Sequence, residues 1–252
     1  MESNLDKARD PNLSTKEFKE LLDLQDEYVY EALDLNEPAV QRYIAFLNTQ
    51  PEIEYWPDEN ESPQVSIEKA NNNDHRAQFQ QALNCMAAED EAGAQLWFRK
   101  SAENGNIISA YNYAIGSEDD TEKIKWLKRS GFKGFPEAQR AIGNIYYQNG
   151  DTDLAKVWFG LAARRENVTA MNDLGVLHWN KGENETAIEY WQQASSLGLE
   201  VADNNLRIAA EGSLFDDDFD GYIDSGFESE TANSPGQIRV SESTTRHRNS
   251  IH

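Results

Sequence analysis

The sequence predicts an all-α fold, an α-solenoid of antiparallel helical hairpins, and two periodic series carry that prediction. In the first, two large residues are followed by two small ones: Trp97-Phe98 with Ser101-Ala102, Trp126-Leu127 with Ser130-Gly131, Trp158-Phe159 with Ala162-Ala163, and Tyr190-Trp191 with Ala194-Ser195. The leading residues lie 29, 32 and 32 positions apart. Stacked supersecondary units repeat over about 20 to 50 residues. In the second series a small residue is followed four positions later by a larger one and then usually by a small one. It runs Ala77/Gln81/Ala82, Ser109/Tyr113/Ala114, Ala138/Ile142/Gly143, Ala170/Leu174/Gly175 and Ala202/Leu206/Arg207. Four positions is one helical turn, so the first two members share a face and the small residue beside them admits a second helix at close range.

From the N-terminus, residues 1–50 read as a small helical module. Ser14-Thr15 followed by Glu17-Phe18 forms an N-cap opening a helix through Leu21, Leu22 and Leu24. Further apolar stripes run through Tyr28, Val29, Ala32 and Leu33, and through Val40, Tyr43, Ile44 and Leu47. Asp10-Pro11-Asn12 and Asp34-Leu35-Asn36 precede comparable segments 24 residues apart. With Glu27, Val29 and Ala32, this spacing resembles the variant leucine-rich repeat, a solenoid of short helices. That family's iron-sulfur members hold their cluster through cysteines that this sequence lacks.

Residues 51–74 read as an acidic linker. Three prolines, a run of acids and the triplet Asn71-Asn72-Asn73 suit neither helix nor strand. Tyr55-Trp56 within it is either an anchor folding back on the repeats or a local aromatic pair.

Residues 75–212 carry the hairpins. Asn149-Gly150-Asp151 and Lys181-Gly182-Glu183 place glycine just past a first helix and an acid at the start of the second, where the macrodipole favours negative charge. Gly105, Gly134 and Gly198 separate successive hairpins, and the interval of 29 implies an internal turn shortened by three residues. The run Ala138, Ile142, Gly143, Tyr146, Gly150, Ala155, Trp158, Ala162, Ala163 resembles the tetratricopeptide repeat in its Sel-one-like form. Ala170, Leu174, Gly175, Gly182, Ala187, Trp191 and Ala194 repeat it.

The tail, 213–252, is acidic and poor in large apolar residues, so it reads as disordered. Asp216-x-Asp218-x-Asp220-Gly221-x-Ile223-Asp224 matches most of an EF-hand-type loop, in which alternating carboxylates converge on one calcium ion and glycine permits the sharp turn. Phe227 stands where the bidentate glutamate belongs. Two readings follow, a calcium site or a solvated acidic segment.

Charge and composition exclude several functions. The formal net charge is −22, and residues 75–212, the near-balanced part, still hold 19 acids against 14 bases. Phosphate backbones and anionic membranes need basic faces, so neither nucleic acid nor a membrane surface is expected as ligand. No apolar run approaches the roughly 18 residues of a membrane span, and Met1–Asp10 lacks the basic-then-apolar order of a secretory leader. The expectation is a soluble, cytoplasmic protein.

Catalytic signals are sparse. The single Cys85 excludes an internal disulfide and a cysteine zinc cluster, and a small core role suits it best. His75, His178, His247 and His252 suggest no nucleophile-base pair; His178 falls at a core position. No glycine loop cradles a phosphate, and no cofactor is expected apart from the calcium alternative.

Binding remains. If the family's geometry holds, positions two, six and nine after each leading small residue face the concave groove, among them Tyr111, Arg140, Asn144, Tyr147, Asn172, Val176 and Trp179. Arg140, Asn144 and Asn172 resemble the groups by which some tetratricopeptide domains hold a peptide carboxylate, and Tyr147 and Trp179 are sized as anchors. The expected function is a non-catalytic scaffold for a peptide or protein partner. Self-association through an uncapped end is open, with Leu206 and Ile208 in the last helix bearing on it.

Overall fold

The computed structural model describes residues 3–23, 32, 38–40, 42–43 and 62–212. The fold is all-α, with no strand among the described residues. The helices are α1 (Asn4–Ala8), α2 (Thr15–Asp23), α3 (Pro63–Asn71), α4 (His75–Ala87), α5 (Glu91–Glu103) and α6 (Ile107–Ile115). They continue with α7 (Asp120–Phe132), α8 (Pro136–Gln148), α9 (Thr152–Ala163), α10 (Val168–Asn180), α11 (Asn184–Ser196) and α12 (Glu200–Gly212). Described residues up to Gln139 form one compact unit and those from Arg140 onward another, so the division falls inside α8.

In the first unit, α3 packs on α4, α4 on α5, α5 on α6 and α6 on α7. Their starts are fixed by side-chain caps. Asp74, Asp90 and Asn106 each accept from the backbone N–H three residues on, and Asp119 accepts from Thr121 and Glu122. The small pair of the repeat signature also carries buried polar links. Ser101 Oγ donates to the carbonyl of His75 at 2.6 Å, and Ser130 Oγ donates to that of Ile107 at 2.7 Å. Each ties a second helix to the first residue of the first helix in its own hairpin.

The short interval of 29 arises differently from the expectation. The connection between α6 and α7 is not abbreviated; α6 has 9 residues where α4, α8 and α10 have 13. One helical turn has been removed from the first helix, which leaves the register of its buried face intact.

A further expectation changes here. The segment 51–74 was expected to exclude helix, yet α3 occupies Pro63–Asn71 and packs on α4. Pro63 is its first residue, where the missing N–H has no intrahelical partner to lose, and Gln78 Nε2 donates to the carbonyl of Ala70 at 3.0 Å. The described N-terminal helices belong to the same compact unit as α3 to α7. A reciprocal cap between Ser14 and Glu17 starts α2. The fully buried Phe18 then stacks on Tyr43 at 4.7 Å and meets Phe132 of α7 edge-on at 5.7 Å. The variant leucine-rich spacing extends into residues outside those described.

In the second unit, α9 packs on α10, α10 on α11 and α11 on α12. Here the small position of the second series does what its size implies. A Cβ on Gly143 would lie 2.6 Å from ring atoms of Phe159, and one on Gly175 would lie 2.3 Å from Nε1 of Trp191.

Most helices end in a left-handed residue. Gly105, Gly134, Gly150, Gly182 and Gly198 adopt it, but so do Glu89 (φ 59°) and Glu166 (φ 61°). A side chain there strains against the backbone, a cost that glycine avoids. Glu166→Gly is therefore expected to stabilise the protein by about 0.5–1 kcal/mol, net of the larger unfolded-state entropy of glycine. Urea unfolding checks this: an unchanged or lowered midpoint refutes it.

Candidate functional site

Four of the seven groove residues expected from the repeat phase lie in helices of the second unit as buried structure. Arg140 on α8 and Asp173 on α10 form an ion pair, Nε to Oδ2 at 2.6 Å, with side chains 9% and 0% exposed. Asn172 is fully buried: its Oδ1 accepts from Asn205 Nδ2 on α12 at 2.9 Å, and its backbone carbonyl accepts from Trp191 Nε1 at 3.3 Å. Val176 belongs to the apolar core with Met171, Ala187 and Trp191. Asn144 is buried as well, and in the first unit Tyr111 is buried against Phe135.

The groups expected to hold a carboxylate thus have partners within the chain. Both links step 33 residues, from position two of one first helix to position three of the next. The polar atoms that suggested a ligand clamp hold neighbouring first helices to one another. A desolvated guanidinium needs a desolvated partner, and Asp173 supplies it from within the chain.

Two expected residues keep partial exposure. Tyr147, in the last turn of α8, rests on the core formed by Ala155, Phe159, Leu174 and Leu177. Trp179, in the last turn of α10, lies 5.5 Å from Trp191, centroid to centroid. Asn180 Nδ2 donates to Tyr147 Oη at 3.3 Å and fixes the two helix ends to each other. Lys181 beside them reaches Asp153 at 3.0 Å. The result is an edge of two aromatics, half seated in the core and half open, flanked by amide and ammonium groups.

His178 is buried, stacks on Tyr190 at 5.4 Å and hydrogen-bonds Glu183 through Nδ1. That hydrogen bond holds the Glu183 carboxyl below its usual range. It also explains why Glu183, alone among the helix-starting acids here, makes no side-chain cap bond to its own helix. Cys85 is half-buried, with its thiol pushed up by burial and by the nearby Asp90, the opposite of an activated nucleophile.

His75 titrates against the fold. Burial is the main cause of its lowered pKa, with Arg76 adding to it and Asp74 opposing. Its Nδ1 lies 3.4 Å from Asn106 Nδ2. A histidine whose folded pKa lies below its unfolded value of about 6.5 takes up its proton more readily when unfolded, so stability falls as pH drops through that value. His75→Gln is expected to flatten the stability profile between about pH 7.5 and 5.5; a profile as steep as the parent's refutes the assignment.

Asp216, Asp218, Asp220 and Asp224 of the calcium loop lie outside the described residues. Among the described residues no group of three or more His, Cys, Asp or Glu side chains is placed to hold a metal ion. No described helix is long and apolar enough to cross a membrane. No family model matches the chain, and no curated protein matches it.

Proposed function

We propose that this chain is a non-catalytic, cytoplasmic scaffold of the tetratricopeptide, Sel-one-like kind, taking a peptide or protein partner on the aromatic edge of its second unit. The observation that carries this reading is the pairing of Tyr147 and Trp179. Both occupy the same repeat position, 32 residues apart, and both stay partly exposed, whereas most other aromatics among the described residues are buried. Rigid aromatics seated on a core lose little entropy on contact and make the strongest interface anchors. The internal use of Arg140 and Asn172 favours a ligand held by side-chain contacts over one held by its terminal carboxylate. A non-catalytic role is supported by the chemistry of the described residues: His178 is engaged with Glu183, and the Cys85 thiol is suppressed.

Affinity capture from the native cytosol tests the reading, comparing the parent with Tyr147→Ala and Trp179→Ala together. Loss of a specific partner with circular dichroism unchanged supports the edge. The same partners retained by both proteins would refute it.

A further inference from the structure

Helix α12 repeats the dimensions of the first helices before it. Pro136–Gln148, Val168–Asn180 and Glu200–Gly212 start 32 residues apart, and each has 13 residues. After α8 and α10 a short turn leads to a second helix, Thr152–Ala163 or Asn184–Ser196. Carried one period on from Asn184–Ser196, that register places the next second helix at residues 216–228.

The face that such a helix covers is buried on α10 and not on α12. Leu174 is buried, Gly175 lies against the Trp191 indole of α11, and the buried His178 stacks on Tyr190 of α11. One period later these positions hold Leu206, which is half-buried, and Arg207 and Ala210, which are exposed.

Residues 216–228 carry the pattern of α11. Ala187, Trp191 and Ala194 are fully buried there, and Phe219, Ile223 and Gly226 stand one period after them. The six exposed positions of α11 are answered by Asp216, Asp217, Gly221, Asp224, Ser225 and Glu228, none of them a large apolar residue. Tyr222-Ile223 continues the large pairs Trp158-Phe159 and Tyr190-Trp191. Asp216 and Asp217 fall in the first turn, as Asp153 does in α9 and Glu185 in α11, where the macrodipole favours negative charge. Composition alone reads this stretch as disordered; its spacing does not.

We infer that residues 216–228 are the second helix of a last hairpin, and that their Phe219 and Ile223 face covers Leu206, Arg207 and Ala210 of α12. The chain thereby closes its own repeat end, which removes the α12 face from self-association. Gly221 and Gly226 lower helix propensity, and so short a helix does not persist in isolation, so its order depends on α12. Asp216 and Asp224 then lie about 12 Å apart along the helix and cannot share one cation. The inference rests on the repeat register and not on the Tyr147 and Trp179 edge, so the two readings stand or fall separately.

Hydrogen–deuterium exchange of the full chain, read by mass spectrometry, tests it. Relative to their intrinsic rates, the amides of 219–228 should exchange at least about tenfold more slowly than those of 240–250. Phe219→Asp with Ile223→Asp should remove that protection and speed exchange in α12, with α8 to α10 unchanged. Asp217→Asn with Asp224→Asn, at outward positions, should change neither. The inference is overturned if 219–228 exchange as fast as 240–250 in the parent, or if the Phe219 and Ile223 variant leaves α12 as slow as before. It is also overturned if protection of α12 falls on dilution, which assigns the cover to a second copy, or if protection of 219–228 arises only with added calcium chloride, which assigns the acids to a metal site.

Discussion

Arg140→Met is expected to cost about 3–5 kcal/mol, because it strands the Asp173 carboxylate, 0% exposed, without its guanidinium. For a domain of this size that corresponds to a fall in Tm of roughly 10 °C. Asp173→Leu should cost a similar amount, stranding the guanidinium instead. The double variant should recover most of the loss, since a buried ion pair exchanged for apolar groups of similar volume is close to neutral. Urea unfolding of the four proteins decides it, and two single losses that simply add would show that the groups do not act as a pair. The prediction also governs how binding data are read. Lost capture by an Arg140 variant would follow from damage to α8 and α10, so Trp179 and Tyr147 are the residues to change when a contact is in question.

Gly175→Ala has the second large effect. Its new methyl would sit 2.3 Å from Nε1 and 2.8 Å from Cε2 of Trp191, a side chain that is fully buried. The indole cannot swing away without giving up the Asn172 carbonyl and the surrounding core. Overpacking of this kind costs about 3 kcal/mol. Gly143→Ala, against Phe159, belongs to the same class. Gly160→Ala is the control, because it also lies within a helix but its Cβ would meet nothing within 4 Å; alanine there should be neutral or stabilising by about 0.5–1 kcal/mol. Thermal melts that rank Gly160→Ala with Gly175→Ala would refute the close-approach account.

These contrasts mark how far the sequence could be read. Helix-to-helix packing was legible because it rests on local spacing: Ala138, Ile142 and Gly143 lie within two turns, and so do Trp158 and Ala162. His178 was legible as a packed histidine for the same reason, though Glu183 as its partner was not singled out. The links through Arg140 and Asn172 were missed because each partner lies 33 residues away, one period plus one. That offset was the available signal: Asp173 stands 33 after Arg140, and Asn205 stands 33 after Asn172. Without it, polar residues on the first helices of the hairpins read as ligand contacts. Helix α3 is hidden in the sequence because Pro63 reads as a breaker, whereas it starts the helix.

The two 33-residue links have a consequence for how this chain finds one structure among near-copies of itself. Helical repeats have similar apolar faces, so a helix could in principle settle one period out of place or pair with the equivalent helix of another molecule. The polar residues differ from link to link, charge to charge between α8 and α10 and amide to amide between α10 and α12. Seating α8 in the place of α10, against α12, would set the Arg140 guanidinium against Asn205 and leave Asp173 facing no cation, a buried mismatch of several kcal/mol. Within the second unit each of the two links is thus matched to its own neighbour, and a helix seated one period out of place would lose that match.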